Sequence, residues 1–235
     1  MKRTILLLGI TLLTSCSLPY MAVDPELKDD GPMSVEGRQP FLAKPQPMFG
    51  EFYTSKVKRS WVKGYDIPFL VTFSGASQKM SFEQFDKSGH RSLVMTANEL
   101  RSIRWDIPGR GWGEIEFNRK DNFTGVIIDH NKEVWEFIIQ GTNSGDARQV
   151  DGWVKGPDFS YRVEGQSVYE GKKDYGQIII LGYLVYKGSQ QVAAVDVNKG
   201  SVWLSSELDP IERNALAGLA SSLLVRQDIN REEQP

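Results

Sequence analysis

The sequence predicts a mostly β protein: a closed β-barrel of about twelve strands around a buried apolar C-terminal helix. Three observations carry that expectation. From about residue 48 onward, short apolar or alternating runs recur at the roughly 8–12-residue spacing of an all-β sandwich or barrel. Several joints between them carry hairpin residues: Asp129-His130-Asn131-Lys132, Lys187-Gly188-Ser189 and Asn198-Lys199-Gly200. Finally, residues 215–225 run Ala-Leu-Ala-Gly-Leu-Ala-Ser-Ser-Leu-Leu-Val with no charged side chain. A helix without a polar face is buried on every side.

The chain opens Met1-Lys2-Arg3, continues through an apolar stretch from Ile5 to Leu13, and reaches Thr14-Ser15-Cys16. A short basic head, an apolar run and small residues before a cut are the parts of a secretory signal. The run is too short to span a bilayer, which needs about 20 residues. Leu13-Thr14-Ser15-Cys16 resembles the bacterial lipobox, in which the cysteine receives diacylglycerol before cleavage. Cys16 is the only cysteine in the chain. An exported protein gains nothing from an unpaired thiol, so its position reads as a lipidation site. Each buried acyl methylene contributes about 0.8 kcal/mol, and two chains anchor stably. By the same resemblance, Ser17 in place of an aspartate points to the outer membrane, with the domain on its periplasmic face.

Residues 16–47 read as a lipidated cysteine and a proline-rich spacer. They hold Pro19, Pro25, Pro32, Pro40, Pro45 and Pro47, interspersed with Asp24, Glu26, Asp29 and Asp30. Prolines at this spacing block helix and ladder and favour extended, solvated chain. Docking of Phe41-Leu42 onto the domain is the alternative. Cleavage after residue 15 would remove Lys2 and Arg3, lowering the 28 basic side chains to 26 against 30 acidic ones. That balance leaves no basic footprint for nucleic acid. Roughly 220 residues suffice for one domain with a sizeable core.

The barrel domain is expected over residues 48–235. Its strand runs lie at 69–73, 80–85, 112–117, 123–128, 134–139, 149–154, 159–163, 178–186, 192–197 and 201–204. Most are short and charged on one side, unlike the strands of about 9–11 residues in a membrane-spanning barrel. The helix is expected over 210–226. Asp209 precedes Pro210 with Glu212 three residues beyond Asp209, a helix-start signature. Arg213 and Arg226 bracket the apolar stretch, and both are expected to reach water. A barrel of about eight strands is filled by its own side chains, whereas one of eleven or twelve takes a central helix.

Residues with chemical potential are few. His90 and His130 each flank a hairpin turn, and Asp129-His130 lacks the Gly-x-Ser-x-Gly elbow of a hydrolase. Both read as exposed turn residues, and no cofactor or metal site is expected, since zinc needs three or four ligands. Glu114 and Glu116 share one strand face, where a solvated face is a better reading than paired glycosidase acids. Lys56, Lys58, Arg59, Trp61 and Lys63 interleave cations with an aromatic ring beside the spacer. They are candidate contacts to an anionic surface, each cation contributing about 1 kcal/mol there. Against this stands a strand with one solvated basic face. Arg101, Arg104, Trp105, Arg110 and Trp112 repeat the same mixture.

The last third of the chain resembles the tubby-like superfamily, which includes the tubby C-terminal domain, the phospholipid scramblases and the LURP-one-related proteins. The residues that carry the likeness are Val163-Glu164-Gly165, Tyr169-Glu170-Gly171, the run 178–183, Val192-Ala193-Ala194-Val195-Asp196 and the helix after Ile211. The resemblance implies a twelve-strand barrel closed around a C-terminal helix. The phosphoinositide-binding cations of tubby domains have no residue-by-residue match here. The expectation is therefore a membrane-anchored, non-catalytic periplasmic module that binds lipid or another ligand, or acts as a scaffold. An envelope enzyme acting on glycans or lipids, and an accessory of an envelope assembly, are the alternatives.

Overall fold

The computed structural model describes residues 19–38, 45–59, 70–74, 78–98, 102–107, 111–116, 122–142, 144–172 and 179–232, with side chains over 19–38, 45–59, 79–98, 122–142, 144–172 and 179–226. The first strands are β1 (Met33–Ser34), β2 (Met48–Phe49), β3 (Phe52–Thr54), β4 (Lys58–Arg59) and β5 (Leu70–Ser74). Next come β6 (Gln78–Phe85), β7 (Arg91–Asn98), β8 (Ser102–Ile107), β9 (Gly111–Glu116), β10 (Asn122–Ile128) and β11 (Val134–Gln140). The last five are β12 (Asp151–Lys155), β13 (Ser160–Gln166), β14 (Gly182–Lys187), β15 (Gln190–Asp196) and β16 (Ser201–Leu204). Two helices, α1 (Pro25–Asp29) and α2 (Pro210–Glu232), complete the order.

The main sheet is antiparallel and runs β1-β16-β15-β14-β13-β12-β11-β10-β7-β6-β3-β2, with β4 continuing β3 along β6. Its two edges meet. Glu36 and Met48 exchange backbone hydrogen bonds of 2.8 and 3.0 Å, bringing β1 and β2 together into a nearly closed barrel of twelve strands. Neighbouring strands at the right end of the sequence are joined by tight turns. Gly188 and Gly200 hold φ near +64° and +74° in the turns into β15 and β16, a region that side chains disfavour.

Helix α2 fills the barrel. Every residue from 214 to 226 is buried, with Leu219 only 1% exposed. Small residues make this possible: a Cβ on Gly218 would sit 3.3 Å from both Val94 and Ile127. The helix starts as a capping box. Asp209 Oδ1 accepts the N–H groups of Ile211 and Glu212 at 2.8 Å, and Glu212 Oε2 accepts that of Asp209 at 3.3 Å. Arg213 reaches Glu51 at 3.0 Å, as expected for a residue near the surface. Arg226 corrects the expectation that it reaches water. It is buried, donates to Asn98 Oδ1 and Thr142 Oγ1, and lies over the Phe123 ring.

The spacer expected over 16–47 is also corrected where it is described. Residues 19–38 are part of the folded domain, so the barrel begins at β1 and not near residue 48. Met21 and Leu27, each 1% exposed, pack on the outer wall against Leu181, Leu184, Ala194 and Trp203. Met21 N–H donates to Asp196 Oδ2 at 3.0 Å, and the Tyr20 ring stands edge-on to Trp203 at 5.6 Å. Burying each of those large apolar side chains contributes about 1.5–3 kcal/mol, which outweighs the preference of proline-rich chain for solvent. Phe41 and Leu42 lie outside the described residues.

Smaller differences concern strand limits. The run 178–186 pairs only from Gly182, leaving Ile179 62% exposed before it. The run at 149–154 is divided between a 3-10 turn, Ala147–Gln149, and β12. Strands β5, β8 and β9 form a separate three-stranded sheet. The two registers match in number: Ser74 pairs with Ser102, and four positions on from Ser74 and four back from Ser102, Gln78 of β6 pairs with Asn98 of β7.

Candidate functional site

With α2 filling the lumen, the cleft described here lies on the outside of the barrel, where β3 and β4 separate. The two short strands both pair with β6, Tyr53 opposite Phe85 and Lys58 opposite Ser81. Between them the chain leaves the ladder and Val57 turns into the core, 2% exposed. This irregularity opens a cleft of about 350 Å³ lined by Ser55, Lys56, Lys58, Ser81, Glu83 and Leu93, with Phe82 in its wall. That volume falls at the lower end of small-ligand sites, about 300–1,000 Å³.

The cleft has a mixed lining, more of it apolar than polar, and two lysines border it. Ser55 is held by two bonds to β6: its N–H donates to the Glu83 carbonyl at 2.8 Å, and its Oγ accepts the Glu83 N–H at 2.9 Å. The Glu83 carboxylate points to Arg91, 3.3 Å away. The Ser81 hydroxyl is buried and has no hydrogen-bond partner among the described residues. A buried hydroxyl left unpaired costs about 1–3 kcal/mol. Two lysines and a hydroxyl lining one cleft suit an anionic oxygen ligand, such as a phosphate or carboxylate.

The structure thus brings together two of the candidate surface cations, Lys56 and Lys58. Arg59, opposite Met80 on β6, is exposed but does not line the cleft. Trp61 and Lys63 lie outside the described residues, as does Cys16. In the second mixed cluster, Arg104 pairs with Glu114 and Ser102 with Glu116, so by alternation Arg104, Glu114 and Glu116 share a sheet face. Trp112 shares that face, and Trp105 lies on the other. Arg101 and Arg110 are outside the described residues.

His90 and His130 meet across two neighbouring turns, their rings stacked at 4.3 Å and 20°. His90 Nδ1 lies 2.8 Å from Asp86 Oδ2. Burial acts against ionisation of Asp86, but the His90 contacts outweigh it and lower its pKa. Parallel imidazoles aim their ring nitrogens side by side, a poor geometry for sharing one ion. Among the described residues no group of three or more His, Cys, Asp or Glu side chains is placed to hold a metal.

A third cluster sits where α2 enters the barrel. Glu212 accepts a hydrogen bond from the Tyr161 hydroxyl and pairs with Lys187 Nζ at 2.5 Å. Burial raises the Tyr161 pKa steeply, reinforced by the carboxylate beside it. At Glu212 burial works the other way from its partners, yet Lys187, Tyr161 and the Asp209 N–H together lower its pKa. This carboxylate is fully engaged in holding the helix to β13 and β14, which is a structural use. The sequence pointed to Glu212 only as a helix cap; its two cross-barrel partners were not legible.

No protein-family model, curated protein or solved structure matches the chain. The cleft is therefore read from its own chemistry. No helix among the described residues is long and apolar enough to cross a membrane, which leaves strands unaddressed.

Proposed function

We propose that this chain is a lipid-anchored envelope protein, tethered through Cys16 to the periplasmic face of the outer membrane, whose barrel is a non-catalytic module for anionic lipid headgroups or ligands like them. The observation that carries the binding part is the Lys56–Lys58 cleft with its unpaired buried Ser81 hydroxyl, on a barrel whose interior is occupied by its own helix. A filled lumen directs binding to the outer surface. The resemblance to tubby-like proteins agrees with a barrel of this plan and supports the same class of role.

The cleft is tested in the full chain carrying Cys16→Ser, so that no acyl chain dominates membrane affinity. Lys56→Gln combined with Lys58→Gln is expected to weaken binding to phosphatidylglycerol vesicles by about 30-fold. That is the sum of two cations at about 1 kcal/mol each. Co-sedimentation at moderate salt measures it. Unchanged binding would remove the cleft from the account and leave only the anchor.

A further inference from the structure

The docking of residues 19–38 sets how the barrel can stand on a membrane. Strand register defines two ends. One carries the start of β6, the end of β7, the start of β14 and the end of β15: Gln78, Asn98, Gly182 and Asp196. The other carries the turns of His90, Ser189 and the start of α2. Tyr20 and Met21 are fixed at the first end. Met21 bridges to Tyr169 and bonds Asp196, and the Lys199 ammonium lies 3.3 Å over the Tyr20 ring.

Only two residues separate Cys16 from Pro19, where the described chain begins. At 3.8 Å per residue, a lipidated Cys16 lies within about 11 Å of Pro19. The headgroup layer on one side of a bilayer is itself about 5–8 Å deep. A leash this short holds the Asp196 end against the headgroups and leaves no room for a free tether.

The chemistry of that end suits the position. Arg38 reaches the turn at Gly200, Lys172 lies over the Tyr169 ring at 5.7 Å, and Ile179 is 62% exposed. Of the acids at that end, Glu170 is paired with Lys28, Asp146 with Arg148 and Glu164 with Arg162, while Asp151 is exposed. Cations, tyrosines and an exposed aliphatic side chain are the mixture found at membrane interfaces. The outer wall beside Tyr20 is a poor alternative, because exposed Asp24, Glu26, Asp29 and Asp30 would face anionic lipid. In the chain β5 precedes β6 and β8 follows β7, and β5, β8 and β9 form a three-stranded sheet of their own. By register and alternation, Val71, Phe73, Ile103, Trp105 and Ile115 share one of its faces.

We infer that the barrel stands upright on its own bilayer, with the Asp196 end, bearing Tyr20, Arg38, Lys172, Ile179 and Lys199, seated among the headgroups. The inference rests on the lipid anchorage proposed above. Because Cys16 is the only cysteine and acylation consumes its thiol, a single introduced cysteine takes a fluorophore cleanly. Ile179→Cys and Ser189→Cys place that label at opposite ends, both at exposed positions. The lipidated proteins are reconstituted in phosphatidylethanolamine–phosphatidylglycerol vesicles containing a headgroup-nitroxide lipid, and the N-terminal peptide of each sample is weighed. Quenching several-fold stronger at 179 than at 189 is expected, with Lys172→Glu plus Lys199→Glu shrinking the difference. Equal quenching, or stronger quenching at 189, on a chain acylated at Cys16 would overturn the orientation alone. A free Cys16 in that peptide would overturn the anchorage and the orientation with it.

Discussion

Replacing Leu219 by aspartate abolishes cooperative folding. Leu219 lies at the middle of α2, 1% exposed, with Ala215, Ala220 and Leu223 around it in the same core that Phe82, Val94, Phe137 and Val185 reach from the wall. An ionised carboxylate there has no route to water, and its effective burial penalty is several kcal/mol. Neutralising it by protonation still costs free energy and leaves two oxygens without partners. Domains of this size have about 5–15 kcal/mol in total, so the variant is expected to lose its thermal transition and to be cleared in the cell. Leu219→Ala is the graded companion, costing about 2–5 kcal/mol through the cavity it leaves. Circular dichroism melting reads both. A Leu219→Asp variant that melts within a few degrees of the parent would mean α2 is not the centre of the core.

Glu212→Ala is the second large effect. It removes one half of the capping box and strips Tyr161 and Lys187 of their shared acceptor. Breaking a buried pair costs about 3–5 kcal/mol, and the half-exposed Lys187 places this one near 3 kcal/mol. Tyr161→Phe, which deletes only the hydroxyl, costs less and leaves the carboxylate paired. The pH dependence follows from the direction of the shift. The folded-state pKa of Glu212 is lowered, so its stabilisation is present above the usual carboxylate range and is lost as pH falls through the folded value. The parent is expected to lose stability on acidification below that range, and Glu212→Ala to show a shallower loss. Urea titrations at a series of acidic pH values measure the difference; parallel profiles would remove Glu212 from the acid response.

How much of this was visible in the residues depended on what each face had to do. Strands β10, β11, β15 and β16 alternate or run apolar between strong turns and were legible within one or two residues. So was the start of α2, because Asp209, Pro210 and Glu212 act locally. Strand β7 was not, although it touches the helix most directly through Val94. Its other inward positions are Ser92, Thr96 and Asn98, so the barrel interior reads as polar there. The N-terminal segment misled for the opposite reason. Its prolines and acids advertise solvated chain, while Met21 and Leu27 find their partners about 150 or more residues away. The cleft was half legible. Lys56 and Lys58 stood out as a local cluster, but Ser81 and Glu83 join them only through the register of β4 on β6. Arg226 shows the same limit, since a charge at the end of an apolar helix ordinarily marks water, and only the tertiary fold supplies Asn98 and Thr142.

The claim on which the rest depends is that a lipid, and not the protein fold, holds this barrel at a membrane. Intact-mass measurement of the protein extracted with detergent from its own envelope tests it directly. A chain beginning at Cys16 and carrying the added mass of a diacylglycerol is expected, and Cys16→Ala abolishes it. A chain that retains Met1, or one cut elsewhere with a free Cys16 thiol, would contradict it.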